Sequence, residues 1–138
     1  MQIRDIMHSE CTYIDHRDSL QLAATLMERH DIGAVPVAEG DKLVGMITDR
    51  DIVTRAVATN TDVRHTKAGE LMTDRVLYCY EDDDIDKVAQ NMADEKIRRM
   101  PVVSREKRLK GMVSLGDIAS KASDDAAGHS LARITSAA

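Results

Sequence analysis

Apolar residues recur along this chain at two spacings. Leu20, Ala23, Ala24 and Met27 fall three and four residues apart, one face of an amphipathic helix from Ser19 to about His30. Asp18 with Gln21 forms a capping-box pattern at its start, and Asp31-Ile32-Gly33 breaks it. Ala34-Val35-Pro36-Val37 reads as a strand, and its proline predicts an edge strand or a strand start. Glu39-Gly40-Asp41 is a hairpin turn, and Leu43 to Ile47 returns antiparallel. A helix follows from Asp49 to about Ala58. Ahead of these lie a short helical lead-in, Ile3 to Met7, and a brief strand, Cys11 to Ile14.

Shifted by 65 residues, the chain falls on itself. Met7 lands on Met72, Leu20 on Ile85, Ala24 on Ala89, Met27 on Met92, Ile32 on Ile97, Pro36 on Pro101 and Val37 on Val102. After that strand the shift becomes 66, so Gly45 meets Gly111, Thr48 meets Ser114, Asp51 meets Asp117 and Ile52 meets Ile118. The two prolines of the chain are repeat partners. The second copy therefore repeats the order: lead-in Ala68 to Met72, strand Val76 to Tyr80, helix Ile85 to about Lys96, strands Met100 to Val103 and Leu109 to Ser114, and a helix from Gly116 to about Ala122. Its first long helix buries Ile85, Val88, Ala89 and Met92, while Glu81 to Asp84 complement the helix dipole at the start. The expected organisation is a first copy over residues 1–60, a linker over 61–66, a second copy over 67–123 and a tail over 124–138, where Leu131 and Ile134 offer apolar anchors. Two β-α-β-β-α repeats make an α/β (α+β) fold, each half of about 60 residues being marginal alone.

Composition narrows the function classes. The net charge of −5 argues against broad nucleic-acid binding, and without Phe or Trp no stacking platform is visible beyond three tyrosines. No apolar run approaches the roughly 18 residues of a membrane span, and the start is polar, so a cytoplasmic setting is expected. Cys11 and Cys79 are not repeat partners and lack metal-ligand spacing, and five histidines show no ligand pattern, so no metal is expected.

The stretch Gly45-Met46-Ile47-Thr48-Asp49-Arg50-Asp51 carries the candidate chemistry. A strand turns at once into a helix; the Thr48 hydroxyl caps it, and first-turn N–H groups attract anions. Asp51, three residues on, shares that side of the turn and offers a carboxylate to both hydroxyls of a ribose. One such turn is more often only a cap. Two in repeat register, Thr48-x-x-Asp51 and Ser114-x-x-Asp117, favour a nucleotide.

Each copy's Pro-containing strand and Gly-h-h-[Thr/Ser]-x-x-Asp ending resemble the CBS domain, named after cystathionine β-synthase, as a tandem pair. Ile32-Gly33-Ala34-Val35-Pro36-Val37 and Ile97-Arg98-Arg99-Met100-Pro101-Val102 carry the likeness with the two turns. It covers about residues 3–122 and is similar to small stand-alone bacterial and archaeal pairs. The resemblance implies pseudo-two-fold symmetry, two clefts between the copies, and binding of AMP, ADP, ATP or S-adenosylmethionine. It assigns Thr48 to phosphate and Asp51 to ribose in the first cleft, walled by Gly33, Ala34, Val35 and Pro36, with Val76, Leu77, Arg98 and Arg99 from the other copy. The second cleft would use Ser114, Asp117, Met100 and Pro101, with Thr12 and Tyr13. Gly33 and Ala34 stand where the second copy has Arg98 and Arg99, so unequal clefts are expected, the first preferring phosphorylated ligands.

The expected function is a regulatory module that senses an adenine nucleotide, with no required cofactor and no catalysis, since nucleophile–base pair, Gly-rich phosphate loop and metal cluster are missing from the sequence. The alternative is a stress-related accessory protein acting through protein or nucleic-acid partners. Apolar positions Ile52-Val53 and Ile118-Ala119 are expected to face a partner in a homodimer.

Overall fold

A computed structural model of the chain describes residues 1–121 and 132–134. Ala122, at the expected end of the last helix, and the expected tail apart from 132–134, Leu131 included, lie outside the described residues. The elements run β1 (Ile14–Asp15), α1 (Leu20–His30), β2 (Ala34–Glu39), β3 (Lys42–Thr48), α2 (Asp49–Ile52), α3 (Ala68–Leu71), β4 (Cys79–Tyr80), α4 (Ile85–Glu95), β5 (Arg99–Val103), β6 (Leu109–Ser114) and α5 (Leu115–Lys121). A 3-10 turn spans Ile3–Asp5, and a π-helical turn, Val53–Val57, continues α2. This is the α/β order the repeat predicts, with two three-stranded sheets, β1-β2-β3 and β4-β5-β6.

Helix boundaries follow local chemistry. Ser19, not Asp18, caps α1: its hydroxyl accepts the Leu22 N–H at 3.1 Å. Asp18 instead accepts the Asp15 N–H at 3.0 Å, tightening the turn before the helix. Asp84 caps α4 by accepting the Asp86 N–H at 3.1 Å. Both helices end on a left-handed residue, Asp31 (φ 52°) and Lys96 (φ 57°).

The chain forms two units. The Thr48 unit is continuous, Thr12–Val76, and the Ser114 unit combines Met1–Cys11 with the chain from Leu77. In the Thr48 unit Leu20, Ala23, Met27, Val35, Val37, Ile47, Ile52, Ala56 and Ala68 form the core. The irregular stretch before α3 serves the same unit: the first-turn N–H groups of Leu20 and Gln21, orphans of a helix start, donate to the carbonyls of Thr66 and Val63 at 3.0 Å each. In the Ser114 unit Ile3 and Ile6 of the lead-in join Ile85, Val88, Met92, Val102, Val113 and Ile118, and Ile134 packs against them.

Both prolines lie in central strands, contrary to the expected edge position. The reason is the shortness of the parallel neighbour. β1 begins opposite Val37, and β4 opposite Val102, one residue past each proline, so no ladder bond needs the missing N–H. On the other side Pro36 faces Met46, whose N–H and carbonyl both turn outward to Thr73, at 2.9 Å each. Pro101 faces Met112, which pairs the same way with His8 at 2.9 and 3.0 Å.

Those outward bonds explain the motif glycines. A Cβ on Gly45 would run into the Met72 side chain and lie 3.0 Å from the Thr73 carbonyl oxygen. A Cβ on Gly111 would run into the His8 carbonyl itself. Each glycine lets a lead-in segment lie against the free edge of a sheet, which also covers that edge.

One expectation about the surface fails. Ile52 (9% exposed) and Ile118 (0%) belong to the two cores and do not face outward. In that region Val53 and Val57, four residues apart on the π-helical turn, are the apolar side chains left in solvent, at 57% and 65%.

Candidate functional site

Thr48 ends β3 in extended geometry (φ −110°, ψ 162°) and starts α2, so strand and helix share one residue. Its hydroxyl accepts the Asp51 N–H at 3.1 Å, and the Asp51 Oδ2 accepts the Thr48 N–H at 3.0 Å. This reciprocal box fixes the carboxylate. Ser114 and Asp117 repeat it at 3.1 and 2.8 Å. Two turns of one design thus stand at the ends of β3 and β6, as the motif requires.

The turns also spend donors that the sequence leaves open. The Asp49 N–H donates to the Gly33 carbonyl at 2.9 Å, and the Arg50 N–H to the Asp49 carboxylate at 2.8 Å. With Asp51 bonded to Thr48, all three first-turn N–H groups of α2 are engaged within the unit. The expectation of N–H groups waiting for an anion is therefore corrected. In the Ser114 unit the Leu115 N–H donates to the Arg98 carbonyl at 3.0 Å. Gly33 and Arg98 do the same job, tying the start of one strand to the turn that follows the next.

The second carboxylate oxygens differ. Asp51 Oδ1 has Arg55 Nε at 3.8 Å, beyond hydrogen-bond reach, and the side chain is 15% exposed. Asp117 Oδ1 is 2.8 Å from His8 Nε2, and that side chain is 8% exposed. His8 had no signal in its own neighbourhood, standing 109 positions from Asp117; the one clue was that its repeat partner is a threonine, Thr73.

The remaining residues assigned by the resemblance divide between the units. Gly33, Ala34, Val35 and Pro36 lie with Thr48 and Asp51; Ala34 pairs with Thr48, and Val35 and Pro36 are buried. Thr12 and Val76 are half-buried and Tyr13 exposed, all in the Thr48 unit. Arg98 and Arg99 are exposed in the Ser114 unit, and Met100 and Pro101 are buried beside them. Leu77, assigned with Thr48, lines one cavity with Met100, together with Tyr78, Asn91, Asp94 and Glu95. That cavity, about 180 Å³, is smaller than a typical ligand pocket. A second, of about 210 Å³ in the Thr48 unit, is lined by His16, Glu39, Val44, Lys67, Gly69, Glu70 and Met72 and holds none of the assigned residues.

Neither cysteine is a nucleophile at neutral pH. Burial pushes the Cys11 thiol up to about 11 and, with the nearby Asp83 charge, the Cys79 thiol up to about 12.

Two strand-helix-strand-strand-helix copies, each closed by a boxed Thr/Ser-x-x-Asp turn, define a protein class. The chain belongs to the CBS domain family, whose sequence model matches residues 3–58 and again 68–124. Among curated relatives it is 41% identical over 117 residues to Hypoxic response protein 1 of Mycobacterium tuberculosis, covering 84% of this chain and 81% of that one. It is 35% identical over 134 residues to the CBS domain-containing protein YhcV of Bacillus subtilis, covering 96% and 94%. Among solved structures, Hypoxic Response Protein I with two coordinated zinc ions aligns with a TM-score of 0.76 at 39% identity, covering 86% and 97%. The CBS domain pair of protein MJ0100, in complex with 5′-methylthioadenosine and S-adenosyl-L-methionine, aligns at 0.71 and 32%, covering 86% and 93%. Among the described residues no group of three His, Cys, Asp or Glu side chains is placed to hold a metal ion. No described helix is long and apolar enough to cross a membrane.

Proposed function

We propose that this protein is a regulatory module whose two boxed turns read an adenosyl ligand, AMP, ADP, ATP or a related compound. The observation that carries this is the pair of immobilised carboxylates, Asp51 and Asp117, each held by its own backbone three residues back. A carboxylate fixed in advance loses little freedom when it accepts ribose hydroxyls. The complex of the MJ0100 pair with two adenosyl compounds supports the ligand class. Thr48, Asp51 and the Gly33–Pro36 strand serve one ligand, with Val76, Leu77, Arg98 and Arg99; Ser114, Asp117, Met100 and Pro101 serve another, with Thr12 and Tyr13. Because the α2 N–H groups are engaged, any preference for phosphate rests on the Thr48 hydroxyl and the two arginines. The proposed role is regulatory, without catalysis, and in the cytoplasm. A homodimer is part of the proposal, with Val53 and Val57 in the contact, and light scattering at micromolar concentration should return twice the chain mass.

Calorimetric titration with adenosine, AMP, ATP and S-adenosylmethionine tests the ligand class. Asp51→Asn keeps the shape but removes a charged acceptor worth about 1.5–3 kcal/mol. Affinity at that turn should fall about tenfold or more on that scale. Unchanged affinity would make Asp51 a helix cap only. A stress-related accessory role is the second reading, favoured by the likeness to a hypoxic response protein. Salt-dependent retention of DNA or RNA, with no adenosyl binding, would support it.

A further inference from the structure

The two turns share their reciprocal cap bonds, and among the side chains that differ around them one reaches a carboxylate oxygen. Thr73 and His8 are repeat partners, and each exchanges two backbone hydrogen bonds with the outer edge of its sheet, at Met46 and Met112. The cations near the turns match too. Arg55 Nη1 donates to the Leu71 carbonyl at 3.3 Å, and its partner Lys121 donates to the Ile6 carbonyl, also at 3.3 Å. Leu71 and Ile6 are themselves partners. Against this common frame the His8 side chain is an addition, for Thr73 has no counterpart to its imidazole.

That imidazole reaches Asp117 Oδ1 at 2.8 Å. An ionised carboxylate only accepts, so Nε2 carries the proton and donates. The cap already engages Oδ2 through the Ser114 N–H at 2.8 Å. Both oxygens of Asp117 therefore have partners within the unit, on a side chain that is 8% exposed. Asp51 keeps Oδ1 without a hydrogen bond, at 15% exposure.

We propose that His8 sets the selectivity of the Ser114 turn: it occupies the oxygen that a ribose diol needs, so that this turn does not read ribose hydroxyls while the Thr48 turn does. The inference rests on the adenosyl reading of the two turns. It makes His8 a positioning residue that acts through Asp117. A ligand at the Ser114 turn is then chosen by its base and its 5′ substituent, whereas a ligand at the Thr48 turn must also carry the intact diol.

The test compares adenosine with 2′-deoxyadenosine by calorimetry, in a protein whose Thr48 turn is weakened by Asp51→Asn. With His8 present, the two nucleosides should bind with affinities within about twofold of each other, or too weakly to measure. Adding His8→Thr, which copies Thr73, frees Oδ1, and adenosine should then be preferred by about tenfold, the scale of a hydrogen bond to a charged acceptor. His8→Gln, which keeps an N–H donor, should restore the lack of preference; a side chain that merely anchors the lead-in would not move this ratio. Thermal melts of each variant confirm the fold. The inference is overturned if the Asp51→Asn protein already prefers adenosine, or if His8→Thr creates no preference, including the case where neither variant binds. If the parent protein binds no adenosyl compound at all, the functional proposal fails first, which a titration of the parent shows separately.

Discussion

The Thr48 unit and the Ser114 unit carry the same turn in different surroundings. One carboxylate, Asp51, is partly open and flanked by a loosely placed arginine; the other, Asp117, is buried and bonded at both oxygens. The lead-in against the first turn presents a methionine side chain to Gly45, and the lead-in against the second presents a carbonyl to Gly111. Duplication therefore kept the backbone device and let the side chains around it diverge. In the Ser114 unit the turn is more tightly tied into its fold, so substitutions there should cost stability, whereas those at the Thr48 turn should cost ligand.

The largest effect should come from the glycines. Gly111→Ala forces a methyl group into the His8 carbonyl, and backbone cannot swing aside, so a loss of about 2–3 kcal/mol is expected from overpacking. Gly45→Ala meets chiefly the end of a flexible Met72 side chain and should cost about 1 kcal/mol. Urea denaturation of both variants checks the order; equal losses would break the contrast between the two lead-ins. The carboxylates come next. Asp117→Asn keeps an acceptor for the Ser114 N–H and can donate its amide to His8 in the other imidazole tautomer, so what is lost is the charge assistance of two bonds, about 1–2 kcal/mol. Asp51→Asn loses only a long, exposed pairing with Arg55 and should change stability by about 0.5 kcal/mol or less. Melting temperatures of the two variants should separate clearly.

The smallest effect concerns acid. A side-chain hydrogen bond from Arg17 is the main cause that lowers the Asp15 carboxyl to about 2. Arg105 likewise lowers Asp82, and Arg133 lowers Asp94. A carboxyl held below its unfolded value, 3.8, stabilises the fold above that pH, and the contribution is lost as pH falls towards about 2. Asp94 is exposed and Asp15 and Asp82 are only half-buried, so the loss should be shallow. Arg17→Ala should raise the Asp15 titration, followed by NMR, part of the way towards the ordinary carboxylate range, since the backbone N–H at 17 still donates, and leave Asp82 where it was.

Much of this was legible in the chain. The helical spacing of Leu20 to Met27 and of Ile85 to Met92, and the register of the two turns, follow from periodicity and repetition. The caps at Thr48 and Ser114 follow from the Thr/Ser-x-x-Asp spacing itself, because the box is a contact between near neighbours. What escaped was set by distant partners. Pro36 and Pro101 sit in central strands because β1 and β4 stop short, which no residue near either proline announces. The engaged N–H of Asp49 depends on a carbonyl 16 residues back, at Gly33. Gly45 and Gly111 stand inside strands with nothing near them in sequence to say why, and their reason is a segment that packs from elsewhere in the chain.

The lead-ins have a further consequence, for the order in which the protein is made. The Thr48 unit is one uninterrupted stretch, Thr12–Val76, and all its edge contacts, including Thr73 on Met46, lie within it. It is complete as soon as that stretch has left the ribosome, with mostly local closures to make. The Ser114 unit includes Met1–Cys11, but its sheet does not exist until β6 emerges about a hundred residues later. Throughout that interval Ile3 and Ile6, which end fully buried, have no core to enter. Residues made well ahead of their sheet are thus among the last to fold, and a nascent chain from which residue 76 has just emerged should hold one finished unit and one waiting apolar segment.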